Sequence, residues 1–118
     1  MDSIQELTQK IVAFRDARDW KQFHNPKDVA ISLVLEATEV LEHFQWKSAD
    51  DIAAHLRAHT DDVGDELADT LYWVLLMAHD LGIDLGAAFA RKMGENEGKY
   101  PVEKARGKFG KYTEYTDV

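Results

Sequence analysis

The stretch LVLEATEVLEHF, residues 33–44, decides the fold, because it combines a strongly apolar helix with three acids at fixed spacing. Glu36, Glu39 and Glu42 recur every third residue, so they lie on neighbouring positions of one helix face. Apolar side chains fill most of the other positions and make the helix apolar on more than one side. A helix of that kind lies at the centre of a bundle or at a subunit interface.

Helix signals flank this stretch on both sides. Asn25 and Pro26 are residue types preferred at the cap and the first position of a helix, which predicts where the central helix begins. Thr60 and Asp84 are suited to cap later helices, and Gly82 is suited to end one. Apolar side chains at three- and four-residue spacing support this assignment. The predicted helices cover about residues 4–18, 26–44, 61–81 and 85–95, with a short helix after residue 50 and a C-terminal tail over about 100–118.

These elements predict an all-α protein with a four-helix bundle-like fold, forming one domain over residues 1–118. We expect oligomerisation into a homodimer or homotetramer to complete the bundle, because so much apolar helix surface would otherwise face water. The longest apolar run, residues 71–78, is too short to cross a membrane, and cysteine is absent. These features predict a cytoplasmic protein with no membrane partner.

Acidic charge is concentrated in the middle of the chain. The formal net charge is −8 at pH 7, and residues 36–69 hold ten acids against two bases. Nucleic-acid binding rests on clustered lysine and arginine, so this balance argues against a nucleic-acid partner. From residue 91 onward the bases outnumber the acids. The asymmetry suggests a cation site in one region and phosphate-directed charges in another.

A second pair of acids, Glu66 and Asp69, lies three residues apart on the next long helix. If the two helices are antiparallel neighbours, Glu36 and Glu39 face this pair and four carboxylates gather around one point. A divalent cation would relieve their repulsion and desolvation, and oxygen ligands suit Mg²⁺ or Mn²⁺. The competing interpretation is a solvated acidic face, although these acids border apolar side chains. Spacing alone leaves both interpretations open.

Two motifs carry a resemblance to a known family. EATEVLE at residues 36–42 and ELAD at residues 66–69 resemble the ExxExxE and ExxD motifs of the MazG-like all-α nucleoside triphosphate pyrophosphohydrolases. The resemblance covers nearly the whole chain and is closest to the dCTP pyrophosphatase branch. The further similar stretches are RDW at 18–20, QFH at 22–24, FQWK at 44–47, KM at 92–93, Asn96, YP at 100–101 and KYTE at 111–114.

The resemblance implies an Mg²⁺-dependent enzyme that converts a nucleoside triphosphate, with dCTP or a related pyrimidine dNTP favoured, to the monophosphate and pyrophosphate. The family's metal ligands carry over to Glu36, Glu39, Glu66 and Asp69, with Mn²⁺ as a substitute ion. Glu39 and Glu42 are the implied catalytic residues, Glu42 positioning or deprotonating the water that attacks the α-phosphorus. Magnesium suits this reaction because phosphoryl transfer is catalysed mainly by positioning and charge stabilisation.

The resemblance also implies a nucleotide-binding pocket. Trp20, Trp46 and His24 match positions of the base-binding pocket, where aromatic rings stack on a base and an imidazole can hydrogen-bond its edge. Trp73 stands where tyrosine is expected in the closest relatives, which leaves the base preference open. The implied phosphate or sugar contacts are polar side chains near the C-terminus: Lys92, Asn96, Lys99 and Lys111, with Lys108 as a further candidate.

Other functions are compatible with parts of this sequence pattern. A ferritin-like di-metal oxidase would need Glu-x-x-His motifs, which both helices lack. A related pyrophosphohydrolase acting on dUTP or phosphoribosyl-ATP would keep the metal site, whereas a non-catalytic acidic interaction module would use the acids only as solvated surface. Family members often carry basic residues where this chain has Glu97 and Gly98. Four histidines match no motif and are interpreted as surface or core side chains: His43, His55, His59 and His79.

Overall fold

The computed structural model describes residues 3–116, and within this range every regular element is helical. The predicted all-α class is therefore confirmed. The α-helices are α1 (Ile4–Ala17), α2 (Pro26–Glu42), α3 (Ala49–Asp80), α4 (Leu85–Lys99) and α5 (Val102–Ala105), and 3₁₀ turns cover Lys21–Phe23 and Tyr112–Glu114.

Side-chain caps set where the helices begin, as the sequence predicts. The side chain of Asn25 accepts a hydrogen bond from the backbone N–H of Asp28 at 2.9 Å, which opens α2. Asp84 caps α4 in the same way. α2 ends slightly earlier than predicted, because the chain leaves it through a tightened turn that leads to Trp46 at a φ of 66°. α4 continues about one turn beyond its predicted end at Glu95.

The predicted connection between the second and third helices is itself helical. Ser48 and Asp51 form a capping box, so α3 starts directly after Ser48 and includes the predicted short helix. His59 has non-helical dihedral angles (φ −130°, ψ 26°), which mark a kink inside α3. The prediction that Thr60 caps a new helix is wrong. Its hydroxyl donates to the carbonyl of Leu56, because the helix resumes after the kink without a separate N-terminus.

α3 is the central helix of the fold, and both α1 and α2 pack against it. The apolar core is small and lies around the end of α3 and the start of α2. Several large apolar side chains of α2 face away from that core and are exposed. The buried apolar residues are Val29, Leu75, Leu76 and Ala78, and the exposed apolar residues of α2 are Ile31, Val34, Leu35 and Leu41.

One charged side chain belongs to this core. Arg15 of α1 is only 1% exposed, and its Nη1 donates to Oδ2 of Asp80 at 2.7 Å. The same nitrogen lies 3.5 Å from Nδ1 of His24 in the turn that follows α1. Arg15 therefore fastens α1 and the following turn to the C-terminal end of α3.

The chain divides into two compact units, one ending at Ile83 and one beginning at Asp84. The first unit holds α1 to α3. In the second unit the ring of Tyr100 meets the rings of Tyr112 and Tyr115 edge-on, at centroid distances of 5.8 and 6.0 Å. These contacts pack the described part of the predicted tail against the end of α4. The single domain over residues 1–118 stays a prediction.

Among residues 3–116, no single helix is long and apolar enough to cross a membrane, and only α3 and α4 counted together reach that length and composition.

We expect Asp80→Asn to lower the free energy of unfolding by about 2–4 kcal/mol, because the buried guanidinium of Arg15 loses its anionic partner. Asp16→Asn is the matched control, since Asp16 is 58% exposed and lies 4.0 Å from Nε of Arg15. We expect this control to cost about 0.5 kcal/mol or less. Urea unfolding followed by circular dichroism measures both. Equal effects of the two substitutions would show that the Arg15–Asp80 pair does not fasten α1 to α3.

Candidate active site

Three carboxylates from two helices converge at one point. Side-chain oxygens of Glu36, Glu39 and Glu66 lie within 4.8 Å of one another. α2 supplies Glu36 and Glu39 one turn apart, and α3, which packs against α2, supplies Glu66. The structure thus brings together three of the four acids that the sequence predicts as metal ligands.

Asp69, the fourth predicted ligand, lies beside this cluster on α3. It is not among the three residues whose oxygens meet within 4.8 Å. Its negative charge nevertheless helps to raise the pKa values of Glu36 and Glu66, and it lines the same cavity as Glu36. Asp69 is therefore placed between the carboxylate cluster and the adjoining cavity.

The carboxylates perturb one another's protonation. A hydrogen bond with Glu39 raises the pKa of Glu66 to about 7, with further contributions from burial and from the neighbouring carboxylates. Burial, followed by the hydrogen bond and charge of Glu39, raises the pKa of Glu36. A hydrogen bond between two carboxyl groups needs a shared proton. At neutral pH the cluster therefore holds either a proton or a cation that replaces it.

One atom of the cluster supports a cation directly. Oε2 of Glu36 is buried and has no hydrogen-bond partner in the structure. A buried acceptor without a partner is destabilising, and a metal ion satisfies it as a hydrogen-bond donor would. A donor set made only of carboxylate oxygens fits Mg²⁺ or Mn²⁺ better than Zn²⁺.

A cavity of about 480 Å³ adjoins the carboxylates. Its walls combine aromatic and apolar side chains of α1, the following turn and α3 with two of the acids. A volume of this size is in the range of small-molecule sites. The lining residues are Lys10, Ile11, Phe14, Trp20, Glu36, Asp69, Tyr72 and Trp73.

The aromatic walls of this cavity form a continuous series of edge-on ring contacts. The ring of Phe14 lies 5.7 Å from that of Trp20 and 6.3 Å from that of Tyr72, centroid to centroid. Tyr72 in turn lies 4.9 Å from Trp73. Edge-on contacts hold each ring in a fixed orientation and leave ring faces for a flat ligand. Behind this wall, His24 meets Trp73 edge-on at 5.5 Å.

The family comparison agrees with this geometry. The MazG-like family profile matches residues 31–115, a range that includes both acid motifs. The chain belongs to the MazG-like family. The resemblance inferred from the motifs is thereby confirmed.

Individual MazG-like relatives give the same placement. dCTP pyrophosphatase 1 of Mus musculus is 32% identical over 114 residues, which cover 95% of this chain and 67% of the relative. The protein of the same name from Homo sapiens has the same identity and coverage. A pyrophosphatase of known structure from Archaeoglobus fulgidus is 37% identical and superimposes with a TM-score of 0.78, over 86% of this chain and 94% of that one. The similarity to the dCTP pyrophosphatase branch is also confirmed.

Two residues implied by the MazG-like motifs lie outside the carboxylate cluster and its cavity. Glu42 is exposed at the last position of α2 and is not one of the three converging acids. Trp46 is 93% exposed, has a φ of 66° and does not line the aromatic cavity. Of the three predicted tryptophans, Trp20 and Trp73 line the cavity, and His24 lies against Trp73.

The predicted phosphate contacts all belong to the second compact unit. Lys92 forms an ion pair with Glu95 at 3.0 Å, and the ammonium of Lys99 lies 5.0 Å from the centroid of the Tyr112 ring. Other predicted members have roles within this unit: the Asn96 carbonyl accepts from the backbone of Tyr100, the Lys111 backbone donates to Glu114, and Lys108 lines a cavity near the tail. Their role toward a substrate stays a prediction.

Sequence reasoning missed part of the cavity wall. Phe14 has the three- and four-residue spacing that is typical of core residues, but it is 43% exposed and lines the cavity. Tyr72 and Ile11 line the same cavity without having been predicted. The available signal was the aromatic pair Tyr72-Trp73 three residues after Asp69, which places rings one helical turn from the acids.

We expect the metal-free protein to lose stability through Glu66 as pH rises from about 5 to about 7. The carboxyl keeps its proton up to about pH 7 in the folded state, but loses it near 4.5, its ordinary value, in the unfolded chain. The folded state therefore binds more protons across this interval, and stability falls with rising pH. Glu66→Gln removes this loss, so the variant gains thermal stability over the native protein up to about pH 7.

Thermal unfolding in chelator between about pH 5 and 8 measures this difference. Glu42→Gln, which removes the same charge outside the cluster, is the control. A difference between Glu66→Gln and the native protein that does not change with pH would contradict the shared proton.

Proposed function

We propose that this MazG-like protein is an Mg²⁺-dependent nucleotide pyrophosphohydrolase that converts a pyrimidine deoxynucleoside triphosphate, dCTP or a close relative, to the monophosphate and pyrophosphate. The observation that carries the proposal is the convergence of Glu36, Glu39 and Glu66 beside an aromatic cavity. Membership of the MazG-like family and the identity to dCTP pyrophosphatases support the enzyme class and the substrate class.

The acidic cluster favours a metal-assisted reaction. Glu36, Glu39, Glu66 and Asp69 are the proposed ligands of Mg²⁺, for which Mn²⁺ can substitute. When bound, the ion would shield the phosphates and lower the pKa of a water molecule. A net charge of −8 and four neighbouring carboxylates would otherwise repel a triphosphate.

The proposed chemistry is attack of water on the α-phosphorus with pyrophosphate as leaving group. Glu39 is the proposed centre of the site, because it shares a hydrogen bond with Glu66 and stands one turn after Glu36. Glu42 lies one further turn along the same face of α2, where we propose that it holds or deprotonates the attacking water. The basic residues of the second unit, Lys92, Lys99, Lys108 and Lys111, and the amide of Asn96 are proposed to contact phosphate or sugar.

The aromatic cavity supports a nucleoside as the group bound beside the acids. Trp20 and Trp73 offer indole faces, and such stacking contributes roughly 1–3 kcal/mol for a base. His24 is held by Trp73 on one side and lies near Arg15 on the other, so its ring orientation is set by the protein. We propose that this wall binds the base, with the triphosphate directed toward Glu36 and Asp69.

We expect Glu39→Gln to abolish Mg²⁺-dependent pyrophosphate release, with a loss of about 100-fold or more, because the substitution removes the central carboxylate. Asp65→Asn is the charge-matched control, since Asp65 is exposed and lies outside the cluster. A panel of dCTP, dUTP, the other ribo- and deoxynucleoside triphosphates and phosphoribosyl-ATP, with Mg²⁺ and with chelator, measures the activity.

The fastest substrate in the panel identifies the pocket preference. If phosphoribosyl-ATP or dUTP is cleaved fastest, the proposed reaction is supported but the proposed substrate is wrong. No release from any nucleotide by folded protein in Mg²⁺ would reject the hydrolase and favour the non-catalytic acidic interaction module.

We also propose that a second copy of this chain covers the exposed apolar face of α2. A cavity on this face has wholly apolar lining atoms and is formed by Ile31, Val34 and Leu35 with Lys27 and Ala30. Among residues 3–116 only four apolar residues are buried, whereas obligate homodimers bury apolar helix surface between subunits. The apolar α2 face is therefore proposed as the dimer interface.

We expect Leu35→Glu to convert the dimer to monomer, because a carboxylate on this face would be buried without a partner. Ile4→Glu, at an exposed apolar position at the start of α1, is the control and should leave the assembly intact. Light scattering after size-exclusion chromatography measures the mass. A native protein that runs as a monomer would contradict the proposal.

A further inference from the structure

Three histidines that match no motif form one connected cluster, which the sequence did not predict. Nδ1 of His43, at the end of α2, lies 2.8 Å from Nε2 of His55 on α3. The ring of His55 stacks on that of His59 at a centroid distance of 4.7 Å and an angle of 28°. Nδ1 of His59 is 2.9 Å from Oδ2 of Asp62. The interpretation of these histidines as unrelated surface or core side chains is therefore incomplete.

The cluster joins two elements through the kink in α3. His55 and His59 are one turn apart on the segment that precedes the main part of α3, and His59 is the residue with non-helical dihedral angles. This segment presents His55 to His43, which is itself only 15% exposed. Two imidazole rings are thus held facing each other before any ligand binds.

A carboxyl group lies beside two of these rings, and for His59 the contact is a hydrogen bond. Nε2 of His43 faces Oε1 of Glu66 at 3.8 Å, and Nδ1 of His59 faces Asp62. A histidine that turns one ring N–H toward a carboxylate presents the other nitrogen as a lone pair, which is the usual second shell of a metal ligand. In His43 the nitrogen on the side away from Glu66 is Nδ1, which is paired with Nε2 of His55 at 2.8 Å.

Nδ1 of His43 and Nε2 of His55 are close enough for a metal ion to take the place of the proton that they share. Imidazole nitrogens bind Zn²⁺ at about 2.0–2.1 Å, so two of them on one tetrahedral ion stand about 3.3 Å apart. The observed 2.8 Å requires only a small side-chain rotation to open.

We propose that His43 and His55 form a binding site for a divalent transition-metal ion such as Zn²⁺, Ni²⁺ or Cu²⁺, with the ring of His59 stacked on His55 to hold it in position. Imidazole donors select these ions, whereas the carboxylate cluster selects Mg²⁺ or Mn²⁺. The two sites are neighbours because Glu66 contacts His43. The chain would therefore bind two classes of cation in adjoining sites, and this proposal does not depend on the proposed hydrolase activity.

Cu²⁺ titration of the tag-free protein in excess Mg²⁺ tests the site by electron paramagnetic resonance. The expected native spectrum shows nitrogen hyperfine splitting from two imidazoles at low Cu²⁺ equivalents. His55→Gln and His43→Gln should each remove the two-nitrogen pattern and weaken Cu²⁺ binding, measured by calorimetry, by roughly 100-fold. His79→Gln, an exposed histidine outside the cluster, is the matched control and should keep the native spectrum and affinity.

Glu39→Gln separates the two sites, because it removes the central carboxylate and leaves all three histidines in place. Retention of the two-nitrogen spectrum in this variant supports the histidine site. Loss of the signal in Glu39→Gln, or an unchanged signal in both His55→Gln and His43→Gln, would overturn the proposal. Circular dichroism confirms folding, and the two histidine variants lie on different helices, so either folded variant decides the result.

Discussion

The repulsion among Glu36, Glu39 and Glu66 is the constraint on which the rest of the site depends. Three acids held within 4.8 Å repel one another when all are ionised, so either one keeps a proton or a cation must lie among them. The packing of α2 on α3, with Leu75 and Leu76 in the core, supplies the free energy that keeps them together. The repulsion among these carboxylates is therefore an electrostatic cost that a bound divalent ion would reduce.

The Arg15–Asp80 pair gives the cavity wall its position relative to these acids. Arg15 ties α1 to the end of α3, and the backbone carbonyl of Arg15 also accepts hydrogen bonds from Arg18 and Trp20 in the turn that follows. The same guanidinium lies beside His24. Arg15 therefore acts through two groups: its backbone carbonyl holds the turn that leads to Trp20, and its guanidinium joins α1 to α3 beside His24.

Local signals in the sequence predict most of the helices, because caps and apolar periodicity act within a few residues. Asn25, Asp84 and Gly82 mark their boundaries correctly. The pairing of Glu36 and Glu39 with Glu66 was also predictable, since spacing fixes the faces and antiparallel packing brings them together. That part of the candidate site required only helix geometry and charge.

The features that the sequence did not predict depend on tertiary contacts or on backbone states without a local signal. Histidine is not a residue type that predicts a helix kink, so the kink at His59 has no local signal. Phe14 has the spacing of a core residue, although it lines a cavity. The contact between His43 and His55 joins the end of α2 to the first part of α3, so it depends on how the chain turns between these two helices. Trp46 occupies a left-handed conformation that bulky residues rarely adopt, so its exposure was equally hidden.

The proton that Glu66 retains until about pH 7 links protonation to occupancy of the site. A cation that enters at or below neutral pH must release this proton to the solvent. Part of the heat in a binding titration would then come from the buffer that takes up the proton, and the apparent affinity would rise with pH until the carboxyl is ionised. Through this one shared hydrogen bond, occupancy of the cluster by a divalent ion would depend on pH.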